Sequence, residues 1–337
     1  MRAVMQLSRV GGAASGLRST TMRSRAFHTS HEHGGWFRWR SSRAYSSQSG
    51  QSKDANDVRA AATFFFDTKA ACKSKRCSLT TGINEDPKSC GEDSFFVSRS
   101  IVGVADGVGG WNENGVDPGE ISRSLMRYSI EFIKDQQQQD PHADILPQDV
   151  LAAAFDQTQR DDSVEAGSTT ACIVKIKASV DGKPVLQYSN LGDSGFAVIR
   201  DGQVVFRSEF QCYGRAPYQL AKIPPRFRCY GAIENQPSDA DSGEIEVQVG
   251  DIIVLATDGV WDNFAADLRD VPRFSPPVLS WRRHWHPEIT SLLDVLEQDA
   301  TDPAANIIKA AVRHNLKPDD ITVIVARIVE HPTSAKL

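Results

Sequence analysis

Two apolar runs in this chain end in Asp-Gly: Ile101-Val102-Gly103-Val104-Ala105-Asp106-Gly107 and Ile252-Ile253-Val254-Leu255-Ala256-Thr257-Asp258-Gly259. A strand that is apolar on nearly every residue is buried on both faces. A carboxylate at its end then needs a compensating charge, and a cation supplies one. Asp-Gly alone is a common hairpin turn. Asp181-Gly182 and Asp201-Gly202, each between paired strand patterns, are read as just that. Further acids stand at other strand edges. Glu92-Asp93 precedes Ser94-Phe95-Phe96-Val97, and Asp193 lies in Asn190-Leu191-Gly192-Asp193-Ser194-Gly195. Asp262 follows Asp258 by four residues, and Asp319-Asp320 precedes Ile321-Thr322-Val323-Ile324-Val325. No His or Cys converges on them, so the donor set is all oxygen. That suits Mg²⁺ or Mn²⁺ and not zinc or copper.

Two such ions about 3.5–4 Å apart lower the pKa of a water between them and neutralise phosphoryl oxygens. A phosphorus centre is then attacked in line by that hydroxide, with no covalent nucleophile from the protein. Accordingly the chain has no C-x5-R cysteine site, no G-x-S-x-G elbow and no Ser/His/Asp pattern. Gly107-Val108-Gly109-Gly110 lacks the lysine and spacing of a P-loop. His284-x-His286 has no third ligand nearby in sequence and reads as a surface loop.

The elements that must carry these acids are mostly strands. Strand signals fall at 94–97, 101–105, 170–177, 185–191, 195–200, 203–207, 245–249, 252–257 and 321–328. Helical spacing recurs at Ile121, Leu125, Tyr128 and Phe132, with Gln136–Gln139 as the helix end, and from Pro147 to Gln159. Pro303 opens a third helix over Ala304–His314. Hairpin-linked strands with helices grouped between them predict an α+β domain on antiparallel sheets. The stretch 270–286 fits none of this. Pro272, Pro276 and Pro277 exclude a regular helix, and Trp281-Arg282-Arg283-His284-Trp285-His286 is a basic-aromatic patch in an atypical insertion or loop.

The 337 residues carry a net charge of −5, unevenly spread. The first 45 hold eight Arg, no Lys and one acid, Glu32, for +7, which leaves −12 on the remainder. An Arg- and Ser-rich, acid-poor opening predicts a mitochondrial transit peptide over 1–45. Cleavage is expected in Arg43-Ala44-Tyr45-Ser46, leaving Ser46 first, with Arg25-Ala26-Phe27 as a second site. Residues 46–60 read as a polar linker, and 61–330 as the catalytic domain. The acidic body argues against nucleic-acid binding, and no apolar run suffices for a membrane span. Six cysteines show no C-x-x-C pair and no zinc spacing, so no disulfide framework is expected.

Six motifs in order resemble the protein phosphatase 2C family of metal-dependent Ser/Thr phosphatases. They are Gly91-Glu92-Asp93-Ser94, Val104-Ala105-Asp106-Gly107-Val108-Gly109-Gly110-Trp111, Gly167-Ser168-Thr169-Thr170-Ala171, Asn190-Leu191-Gly192-Asp193-Ser194, Ala256-Thr257-Asp258-Gly259-Val260-Trp261-Asp262 and Pro318-Asp319-Asp320-Ile321-Thr322. The resemblance spans about 61–328 and implies a β-sandwich of two antiparallel sheets flanked by helix pairs, a four-layer αββα fold. It implies that Asp106 bridges two Mn²⁺ or Mg²⁺ ions and that the Gly107 carbonyl binds one. Asp258 and Asp319 would complete the other, with Glu92 and Asp93 near or acting through water. Asp319, not Asp320, matches the family's metal-binding acid. Asp193 and Asp262 match positions that hold a third ion in some members. Val108 stands where many members have histidine. Lys88 is the candidate for substrate phosphate, with Arg215 behind it. The implied activity is hydrolysis of phosphoserine and phosphothreonine in mitochondrial phosphoproteins by a monomer of the matrix. A catalytically weak phosphoprotein-binding scaffold or a small-phosphoester hydrolase are the alternatives.

Overall fold

The computed structural model describes residues 63–76, 83–141, 143–228, 231–264, 291–298 and 301–331. The expected transit peptide, linker and 270–286 insertion lie outside them. The described chain opens with β1 (Thr63–Lys73), β2 (Ile83–Asn84), β3 (Asp93–Val97) and β4 (Ile101–Asp106), followed by helices α1 (Gly119–Gln139) and α2 (Pro147–Arg160). Eight strands come next: β5 (Gly167–Thr169), β6 (Ala171–Ala178), β7 (Pro184–Leu191), β8 (Gly195–Arg200), β9 (Gln203–Arg207), β10 (Cys212–Tyr213), β11 (Ala216–Pro217) and β12 (Leu220–Lys222). The chain continues through β13 (Asp241–Glu246), β14 (Ile252–Ala256), α3 (Asp258–Trp261), α4 (Leu292–Gln298), α5 (Pro303–His314) and β15 (Ile321–His331).

Among the described residues two large antiparallel sheets form, ordered β2-β1-β15-β14-β8-β9 and β13-β7-β6-β4-β3, with the two-stranded pairs β10-β11 and β12-β5 besides. Alternation along each strand explains why the sequence looks apolar throughout. In β14, Ile253 and Leu255 face the second sheet beside Phe196, Val198, Ile324 and Val104, while Val254 and Ala256 face Trp261, Leu292 and Ile307 of the helices. The second sheet does the same: Val102 and Val104 point into the sandwich, and Ile101 and Ala105 meet Leu125, Met126 and Leu151 of α1 and α2. The layers are therefore helix, sheet, sheet, helix, as the motifs imply. At the centre Phe196 packs against Tyr188 of the facing sheet with ring centroids 5.2 Å apart and against Phe206 at 5.3 Å.

Most sequence signals land within a residue or two of these elements. The Asp201-Gly202 hairpin has φ of 50° and 70° at its two central residues, the geometry of a tight turn between Arg200 and Gln203. One expectation differs, and several elements were not anticipated: the short strands β2, β5 and β10 to β12, the helices α3 and α4, and β1. The strand placed at 245–249 lies at Asp241–Glu246, because Gln248–Asp251 closes a turn in which Asp251 N–H donates to the Gln248 carbonyl. The 11-residue β1, paired along its whole length with β15, was not anticipated. Its three consecutive Phe mask the period-2 alternation that buries Phe64 and Phe66.

Cysteine reading also needs correction. Cys72, near the end of β1, and Cys90, just before β3, form a disulfide across a Cα separation of 5.3 Å, although no spacing motif announces it. The bond spans 18 residues and pins the segment before Glu92 to the first sheet. Removing it by Cys90→Ser is expected to cost about 3 kcal/mol from loop-closure entropy. Chemical denaturation of the variant against the oxidised native chain measures this. Among the described residues no helix is long and apolar enough to cross a membrane.

Candidate metal centre

Antiparallel pairing brings the end of one strand and the start of its neighbour to the same rim, and this gathers the acids. Asp106 at the end of β4 lies directly opposite Asp93 at the start of β3. In the first sheet the end of β14 leads into Asp258, and Asp319-Asp320 leads into the adjoining β15. Asp193 occupies the tight connection between β7 and β8, which belong to different sheets. Charge on Asp93, Asp258, Asp319 and Asp193 is felt at Asp106, so residues from five strand ends share one locality.

Polar bonds lock the rim. Thr257 Oγ1 donates to Asp93 Oδ2 at 2.8 Å, joining the two sheets. Asp320 is almost wholly buried; its Oδ2 accepts from Glu92 N–H at 2.9 Å and its Oδ1 from Lys75 N–H at 2.6 Å. Asp320 therefore serves the backbone, and Asp319 beside it faces the cluster. The Asp106 carbonyl accepts from Thr170 N–H and Thr169 Oγ1, both at 2.9 Å, and Asp106 N–H donates to Thr170 Oγ1. This is why the Gly-Ser-Thr-Thr motif sits where it does. Gly107 fits a crowded corner, because a Cβ there would run into the Pro118 carbonyl and lie 2.8 Å from that of Glu92. Trp111 Nε1 donates to Ser168 Oγ, fixing the loop that follows.

Two lysines that the sequence reading missed stand among the acids. Lys75 Nζ lies 2.7 Å from Glu92 Oε2, 3.3 Å from Asp319 Oδ1 and 3.6 Å from Asp320 Oδ2. Lys317 Nζ bonds Asp258 Oδ2 and lies 3.0 Å from Asp262 Oδ2 and 3.2 Å from Asp319 Oδ2. Lys317 stands two residues before Asp319 and could have been noticed. Lys75, 244 residues away from Asp319, could not. Lys88 is exposed on a single turn of 3-10 helix with its N–H on Asp86 Oδ1. Arg215 is exposed between β10 and β11.

Burial, then mutual repulsion, pushes the Asp93 and Asp106 carboxyls well above the usual range. The same causes raise Asp258 against the opposing pull of Lys317, and bring Asp193 up to about 7. For Lys75 and Lys317 burial works downward, but the adjacent acids outweigh it and raise both. An acid whose folded pKa lies above its unfolded value binds protons preferentially when folded, so stability falls as pH rises between the two. In chelator the native chain is thus expected to melt progressively lower from about pH 4 to pH 7. Mn²⁺, which competes with those protons, should flatten the profile. Calorimetry at fixed ionic strength with and without the ion tests this.

The donor set suits a hard cation. Asp93 Oδ1 and Asp258 Oδ1 are buried and have no hydrogen-bond partner, a costly state that a cation relieves. Among the described residues no three acid, His or Cys side chains already surround one point as metal ligands do; ammonium groups stand between them instead.

No family model matches the chain. It is 37% identical over 259 residues to a protein phosphatase PTC7 homolog of Drosophila mojavensis, covering 72% of this chain and 80% of the relative. It is 36% identical over 262 residues to the mitochondrial protein phosphatase 2C homolog 7 of Saccharomyces cerevisiae, covering 71% and 74%. Its fold is similar to the X-ray structure of the photosystem II phosphatase PBCP, with a TM-score of 0.53 at 25% identity over 78% of this chain and 98% of that one. Ordered motifs, a four-layer sandwich with acids at one rim, and relatives at this identity over most of their length agree: the chain belongs to the PTC7 branch of the protein phosphatase 2C family of Ser/Thr protein phosphatases.

Proposed function

We propose that this phosphatase acts as a monomer in the mitochondrial matrix on phosphoserine and phosphothreonine proteins, through two Mn²⁺ or Mg²⁺ ions. Asp106 would serve both ions and the Gly107 carbonyl one. Asp258 and Asp319 would complete the second, with Glu92 and Asp93 beside them or reaching through water. The observation that carries this reading is the pair of buried, unpartnered oxygens, Asp93 Oδ1 and Asp258 Oδ1, on a rim that also holds Asp106 and Asp319. When bound, the ions would supply a water of lowered pKa and neutralise phosphoryl charge.

The chain's own residues orient the reaction. The Thr257 bond to Asp93 and the Thr169 and Thr170 bonds to Asp106 fix both acids before any ion arrives. Lys75 is anchored through its own N–H on Asp320 and carries its ammonium group into the cluster, which suits it to meet substrate phosphate. Lys88, upstream of Glu92, is the second cation for that role. Import is supported by the basic opening over 1–45, with 46–60 as linker, and by the yeast relative's mitochondrial name.

Phosphate release from a phosphoserine peptide by protein starting near Ser46 tests the chemistry. The expected result is activity with Mn²⁺ that chelator abolishes. Activity indifferent to chelator would overturn the two-ion reading, and preference for small phosphoesters would overturn the protein substrate. Incubation of the full precursor with isolated mitochondria should yield a protease-protected product cut near Ser46 and released with the matrix.

A further inference from the structure

Lys317 is held in place by more than its charge. It follows α5, which stops at Asn315 in the left-handed conformation (φ 47°), and precedes Pro318, which restricts it to extended backbone. The buried Asn263 side chain grips it from both sides. Asn263 Oδ1 accepts from the N–H groups of Leu316 and Lys317 at 2.8 and 3.1 Å, and Nδ2 donates to the Lys317 carbonyl at 2.9 Å. The same Nδ2 donates to the Gly259 carbonyl at 2.7 Å, so one amide ties Lys317 to the turn that carries Asp258 and Asp262. The ammonium group is thereby delivered to Asp258, Asp262 and Asp319 together.

Asp258 is consequently divided. Its Oδ2 is taken by Lys317, while its Oδ1 is buried and without a partner. Asp319 gives Oδ2 to Lys317 and Oδ1 to Lys75, whose contact is the longer at 3.3 Å. Lys75 lies closer to Glu92, at 2.7 Å, than to Asp319. The half of the cluster toward Asp93 and Asp106 is thus open to hard cations, and the half toward Asp262 is already neutralised.

We propose that Lys317 is a resident cation of the acidic rim: its ammonium group holds the position between Asp258 and Asp262 that would otherwise take a further divalent ion, so the chain binds two ions and not three. Asp193 feels the same charge, since Lys317 works against the upward push of burial on its carboxyl. A covalently attached charge cannot be diluted away, so the third positive charge of the site would not depend on metal supply. The inference rests on the two-ion reading above.

Mn²⁺ binding to the full chain, followed by titration calorimetry, tests it. Native protein should take up two ions. Lys317→Met should take up a third, tighter by about tenfold or more than any further binding to the native chain, because a unit charge a few ångströms away no longer repels it. Lys317→Arg, which keeps the charge, should return to two. So should Asp262→Asn placed in the Lys317→Met background. In chelator Lys317→Met should melt below native, and Mn²⁺ should close the gap. A stoichiometry of two in both native and Lys317→Met, three in native, or a melting gap that Mn²⁺ leaves unchanged would overturn the proposal while leaving the two-ion centre intact. Failure of every form to bind Mn²⁺ would sink the two-ion centre itself, and this inference with it.

Discussion

Asp106→Asn is expected to lower Mn²⁺-dependent phosphate release from a phosphoserine peptide by about 10²–10³-fold, equivalent to about 3–4 kcal/mol of transition-state stabilisation. Asp106 is the acid proposed to serve both ions, so its loss would weaken the binding of both. The fold should not suffer. The contacts that place this residue, to Thr169 and Thr170, use its backbone and survive the change. Burial and the neighbouring acids already disfavour a charge on its carboxyl in the metal-free chain, so a neutral amide of the same shape relieves repulsion. The variant should therefore melt no lower than native in chelator, yet gain less from Mn²⁺. Full activity with normal metal dependence would remove Asp106 from the centre.

Phe196→Ala addresses the opposite end of the problem, the docking of the sheets. Phe196 has no solvent exposure, sits opposite Leu255 of β14 and meets Tyr188 from the facing sheet. Truncating a buried Phe costs about 3–5 kcal/mol. For a domain of this size that corresponds to about 10 °C in melting temperature. Denaturant melts at constant m-value measure it, and below the transition the folded fraction should keep its native kcat. A loss under 1 kcal/mol would mean that the two sheets do not depend on this aromatic trio.

Legibility of the fold followed burial. β14 and β15 lie in the middle of a sheet and touch the core on one side and helices on the other, so β14 is apolar throughout and β15 carries the apolar run Val323–Ala326. β13 is an edge strand with Gly243 and Glu244 exposed, and its Asp-Ser-Gly-Glu opening hides a strand behind turn-like residues. The acids were legible because each stands where an apolar run begins or ends. Their counter-ions were not: a lysine's role depends on reach through space, and Lys75 meets partners that the sequence places at both ends of the domain. The Cys72–Cys90 bond was hidden for a related reason, since it depends on where β1 finishes.

The position of β15 has a bearing on how this protein is made. The last described strand is not at an edge; it lies between β1, the first, and β14. Until residues 321–331 leave the ribosome, β1 has no neighbour along most of its length and the earlier half-sheets cannot join. The first sheet therefore closes through a contact between segments far apart in sequence, the kind of pairing that forms slowly. Asp319 and Asp320 lead into the same strand, so the acids at its start reach the rim together with it.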